Sequence, residues 1–140
     1  MTKKQSRKRS TSRPRGRIKP HEGSELDLML KGKKSLARFA IEHKTPDALA
    51  QTEASFQPHV ARGTFLRFQF KGDEFDRLYF CQPTEEWRVK LLELIDTALE
   101  AGAHNFTIYD LHRIDGTLLG YSKSDIEFFI SNWRQHHEDD

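Results

Sequence analysis

The chain has 140 residues, of which 23 are Lys or Arg, 21 are Asp or Glu, and one is cysteine, Cys81. The length suits one core, and the lone thiol excludes an intramolecular disulfide and an all-cysteine zinc site, as befits a reducing compartment. No apolar run reaches the ~18 residues of a membrane helix, and the basic N-terminus lacks a secretory apolar stretch, so neither membrane insertion nor export by that route is expected.

Residues 1–23 differ in kind from the rest. Nine Lys/Arg stand there against Glu22 alone, a net charge of +8, whereas residues 24–140 hold 14 basic and 20 acidic residues, a net charge of −6. All the Phe, Trp and Tyr lie in residues 24–140. The arm therefore cannot offset chain entropy by burial, and it reads as disordered when free. A solvated polycation binds polyanions, and Arg7, Lys8, Arg9, Arg13, Arg15, Gly16, Arg17 and Lys19 are the candidate nucleic-acid contacts.

Within the arm, Arg13-Pro14-Arg15-Gly16-Arg17-Ile18-Lys19-Pro20 resembles the AT-hook, a short DNA-binding motif with an R-G-R core flanked by proline and basic residues. The resemblance covers these eight residues only. Ile18 stands where the family's core is usually followed by proline. Gly16 lets the backbone lie on the floor of a narrow groove, with Arg15 and Arg17 directed along it toward adenine N3 and thymine O2. Pro14 keeps the strand extended. The same charges would bind RNA, ribosomal RNA included, through phosphates alone.

Residues 24–140 read as a single α+β domain: a β-hairpin packed against several helices. Ser24-Glu25-Leu26-Asp27 opens a short helix with Ser24 as its cap, and Lys31–Lys34 ends it. Residues 35–41 fit either a strand or a helical turn. Thr45-Pro46-Asp47 starts a helix, with a capping hydroxyl and proline at the first position. That helix is expected to reach about Ser55 and to be peripheral. Residues 59–82 read as a hairpin: Leu66, Phe68 and Phe70 alternate with Arg67 and Gln69, and Lys71-Gly72-Asp73-Glu74 turns into a return strand with Phe75, Leu78, Tyr79 and Phe80. Arg62–Phe68 superficially resembles an RNA-recognition strand, but its aromatics fall at the wrong offsets to share a face. Cys81 closes an apolar run and reads as an inert buried thiol.

Thr84–Ala101 is a helix in which Trp87, Leu91, Leu94, Ile95 and Ala98 form the apolar stripe and Gly102 is the stop. Over 105–119 two patterns compete. Asp115-Gly116 is a hairpin signal, while Ile108, Leu111, Asp115 and Leu118 share a helix face with Gly120 as C-cap; the helix is favoured. Ser124-Asp125-Ile126-Glu127 is a capping box opening the last helix, with Ile126, Phe129, Ile130 and Trp133 as its core stripe.

Chemistry is sparse. His112 and Asp115 share a helix face at i,i+3 and are weak candidates for metal ligands, but a zinc site needs three or four, and Asp110 and Arg113 read as an i,i+3 ion pair. No nucleophile elbow, P-loop or dinucleotide glycine pattern occurs. The sequence thus points to a non-enzymatic accessory or regulatory protein without a cofactor. Its arm attaches to nucleic acid, AT-rich DNA slightly favoured over RNA, and its acidic body binds a protein partner or itself. The expected location is cytoplasmic, at the nucleoid or ribosome, or nuclear in a eukaryote. The alternatives are a metal-dependent hydrolase or nuclease centred on His112 and Asp115, and an immunity or antitoxin protein.

Overall fold

The computed structural model describes residues 23–137. In chain order these form helix α1 (Glu25–Leu30), strand β1 (Leu36–Glu42), a 3₁₀ turn (Pro46–Leu49) running into helix α2 (Ala50–Ala61), strands β2 (Leu66–Phe70) and β3 (Phe75–Cys81), a 3₁₀ turn (Pro83–Glu85) leading into α3 (Glu86–Ala101), then α4 (Ile108–Leu119) and α5 (Lys123–His137). The class is α+β, as expected. Two compact units hold these elements: residues 23–105 with 118–120, and residues 106–117 with 121–137.

The first unit is built on an antiparallel sheet of order β1-β3-β2. Leu36 and Leu66 both pair with Cys81, and Arg38 and Phe68 with Tyr79, so β3 is bonded on both sides. That pairing makes residues 36–42 a strand and removes the ambiguity of the local pattern. Leu78, Tyr79, Phe80 and Cys81 are all fully buried. A central strand covered on both faces has no polar side to show, which explains the unbroken apolar run.

Alternate residues of the sheet point to opposite faces. On one face Ala37, Leu78 and Phe80 join Met29, Phe56 and Phe65 in the core, flanked by Leu26, Phe39, Ile41 and Val60. Phe56 of α2 stacks on Phe80 with ring centroids 4.2 Å apart and planes 9° from parallel. Helix α2 is therefore central rather than peripheral, and it continues to Ala61 through Pro58. Proline there removes one N–H from the ladder, while Phe56 and Val60 hold the flanking turns in the core. Gly63, at φ +82°, ends the helix with its N–H on the Val60 carbonyl at 3.0 Å.

Two expected caps are absent. The Ser24 side chain makes no capping bond; the Gly23 N–H goes to Glu25 Oε1 at 3.0 Å instead. The Thr45 hydroxyl donates to Glu42 Oε1 at 3.2 Å, back toward β1 rather than into the helix.

Helix α3 lies on the other face of the sheet. Tyr79 Oη donates to Glu93 Oε2 at 2.7 Å, and Arg77 donates to both Glu93 oxygens at 2.6 and 2.8 Å. The buried residues of α3 are Val89, Leu92 and Ile95. Of the stripe expected from sequence, Ile95 is buried and Ala98 half-buried, while Trp87, Leu91 and Leu94 are exposed. Leu118–Gly120 also belong to this unit, and two cations satisfy carbonyls at the end of α4: Lys34 Nζ at 2.8 Å from Leu119 O, and Arg88 at 3.0 Å from Leu118 O.

The second unit is an α4/α5 pair. Residues 108–119 are helical, opened by a reciprocal cap in which Asp110 N–H donates to Thr107 Oγ1 at 3.1 Å and Thr107 N–H to Asp110 Oδ2 at 3.0 Å. Gly120, at φ +89°, follows as the expected C-cap. The glycine that looked like a hairpin turn, Gly116, is a contact point: a Cβ there would lie 2.6 Å from Ile126 Cγ1 of α5. Ser122, not Ser124, caps α5, accepting from the Asp125 N–H at 3.1 Å.

Candidate interaction surfaces

The arm residues Arg7, Lys8, Arg9, Arg13, Arg15, Gly16, Arg17 and Lys19 lie outside the described residues. The body holds three groupings that could carry function, and each grows from a local packing requirement.

The first is polar. Where β1 ends beside β3, His43 Nε2 meets Asp76 Oδ1 at 2.8 Å, and Asp76 also accepts from Gln69 Nε2 at 3.0 Å and the Gly72 N–H at 3.4 Å. Hydrogen bonds from His43 and Gln69 hold the Asp76 carboxyl below its usual range. His43 and neighbouring Glu42, Lys44, Asp73, Glu74 and Phe75 line an open cleft of about 410 Å³. The pair resembles the orienting half of an acid–base site, yet no serine, threonine or cysteine lines the cleft. Its evident task is to pin the β2–β3 turn, since Asp76 gathers donors from the turn and from the strand end. Sequence alone could not join His43 to Asp76, 33 positions apart.

The second grouping is His112 with its neighbours on α4 and α5. Its ring packs edge-on against Phe129 at 4.9 Å and tilted against Trp133 at 5.5 Å. Nε2 is buried and makes no hydrogen bond among the described residues. Burial lowers the His112 pKa, opposed by the charge of Asp115. The imidazole is thus a neutral aromatic in a packed helix pair. Among the described residues no three His, Cys, Asp or Glu side chains gather to hold a metal. The expected Asp110–Arg113 ion pair is replaced: Asp110 caps the helix, and Arg113 makes a two-pronged bond to Glu127 at 2.8 and 3.0 Å.

The third is apolar and lies on α3. Glu93, facing the sheet, is raised by burial but held below its ordinary value overall by Arg77 and Tyr79, and Arg77 also reaches Asp96 at 3.3 Å. These polar anchors select which side of α3 meets the sheet. The opposite side keeps Trp87, Leu91 and Leu94 at 51%, 37% and 64% exposure. Trp87 is held in place: the Arg88 guanidinium lies over its ring at 4.7 Å, and Glu85 accepts its hydrogen bond. The sequence carried a signal for this second face, because Val89, Leu92, Asp96 and Leu99 make another helical stripe beside the more obvious one.

Cys81 is buried and free, and burial pushes its thiol up to about 11, as suits an inert core residue. No helix among the described residues is long and apolar enough to cross a membrane. Comparison with known proteins finds no matching family model, curated protein or solved structure.

Proposed function

We propose that this is a non-enzymatic accessory protein whose basic arm attaches it to nucleic acid while the body engages a protein partner. One observation carries the reading: the +8 of residues 1–23 against the −6 of residues 24–140. The ion pairs of the body support it. Arg67 binds Glu53, Arg77 binds Glu93, Arg88 binds Glu85 and Arg113 binds Glu127. Cations committed to carboxylates make poor phosphate contacts, so attachment is concentrated in the arm. Within it, Arg15-Gly16-Arg17 favours AT-rich duplex, whose narrow minor groove concentrates negative potential. Attachment of this kind places the protein at the nucleoid, ribosome or chromatin.

The test is binding of the full chain to labelled duplexes across a salt series. If the arm neutralises ~4 phosphates, log K falls against log salt with a slope near −3.6. Arg15→Ala with Arg17→Ala weakens binding to AT-rich duplex more than to GC-rich duplex. Equal losses on both reduce the arm to a nonspecific cation, and no binding at low salt removes the reading.

A further inference from the structure

The outer side of α3 carries Trp87, Leu91 and Leu94 exposed and Ala98 half-buried. Trp87, Leu91, Leu94 and Ala98 are separated by four, three and four residues, the alternation of a coiled-coil seam. On a 3.6-residue helix this seam is centred about 130° from the buried arc of Val89, Leu92 and Ile95, with Ile95 at its border. The spacing also reads the same from either end. When two such helices pack antiparallel about a twofold axis midway between Leu92 and Glu93, Leu91 of one meets Leu94 of the other, twice, and Trp87 meets Ala98, twice.

We propose that a second copy of this chain docks here, α3 against α3 in antiparallel orientation. The pairing sets the largest side chain of the seam against the smallest and the two leucines against each other, so all four layers are size-matched. Trp87 enters already oriented by Arg88 and Glu85, which lowers the ordering cost of an aromatic anchor. The flanks carry no like-charge clash: Lys90, bonded to Glu86 on its own helix at 3.2 Å, falls near Thr97 of the other copy, and Arg88 falls near Ile95. The arm is a poor competitor for the seam, since residues 1–22 hold only Met1 and Ile18 as large apolar side chains. A 16-residue helix is about 24 Å long, so the contact lies at the small end of specific interfaces and has a Kd on the order of micromolar.

This inference names the body's partner and in that respect rests on the preceding reading; each has its own readout. The full chain, cleared of nucleic acid by nuclease and held at about 0.5 M salt so that polyanions cannot bridge two arms, is followed by sedimentation from about 1 to 200 µM, spanning the expected Kd. The wild type passes from monomer to dimer over this range. Leu94→Glu and Leu91→Lys, both at exposed positions, keep the wild-type circular dichroism and weaken self-association about 100-fold or more. An equimolar mixture of the two variants dimerises again, because the antiparallel register sets the new glutamate beside the new lysine. A monomeric wild type, a dimer indifferent to both substitutions, or a mixture that stays monomeric each overturns the proposal. None of these outcomes alters the salt-slope test of the arm.

Discussion

Phe56 shows how much one residue can carry in a small core. It stacks on Phe80 and stands 6.0 Å from the rings of both Phe39 and Phe65, so it joins α2 to β1, to β3 and to the approach to β2. Its helix is only weakly amphipathic, and a pattern that counts apolar positions passes over a single large anchor. Replacing Phe56 with Ala is expected to cost about 3–5 kcal/mol, the transfer and cavity cost of a buried aromatic. Urea unfolding followed by circular dichroism checks this. A loss under about 1 kcal/mol, the size of an exposed substitution, would return α2 to the periphery.

At the scale of elements, two cases show a local signal read for the wrong reason. Asp115-Gly116 has the residue types of a tight turn, yet Gly116 serves a helix that must approach Ile126 closely. Gly116→Ala should improve helix propensity by about 1 kcal/mol and still destabilise α4/α5, because overpacking a tight contact costs about 1–3 kcal/mol. Thermal melting by far-ultraviolet circular dichroism decides the sign. A higher melting temperature would mean that Ile126 yields without cost. In α3 the error lay in choosing between two apolar stripes. Periodicity located the helix and its stop at Gly102, where φ is +68°. The choice of inner face belongs to Arg77 and Tyr79, which reach Glu93 from a strand, 16 and 14 positions earlier in the chain respectively.

Over the whole molecule, the pH dependence of stability follows from groups brought together across long stretches of chain. Lys34 lies 85 positions from the Leu119 carbonyl that it caps. Burial pulls its pKa from 10.5 down to about 8, with the charge of Glu25 opposing the change. Above about pH 8 the folded protein releases a proton that the unfolded chain keeps, so stability rises with pH. Cys81 has the opposite effect. Its folded pKa of about 11 lies above the ordinary 9.0, so it holds a proton that the unfolded chain loses, and from pH 9 it draws stability down again. The expected profile rises from pH 8 to 9, flattens to about pH 10 and falls beyond, where Tyr79, its pKa raised by burial and by the Glu93 bond, also keeps a proton that the unfolded chain loses. Urea midpoints measured across this range should lose the rise in Lys34→Met, and a rise that survives the substitution would assign it elsewhere.

Sequence by itself determined the α+β class, the β2–β3 hairpin, the extent of α3 and its glycine stop, the buried thiol and the partition of charge between arm and body. Each depends on neighbours along the chain or on simple counts, and such signals survive without knowledge of the fold. Only the tertiary structure decided that residues 36–42 form a strand, that α2 is central, and that His43 meets Asp76. It also turned Trp87, Leu91 and Leu94 outward. These outcomes depend on partners 14 to 45 positions away, and local propensity is too weak to anticipate which of two comparable faces or conformations such partners will select.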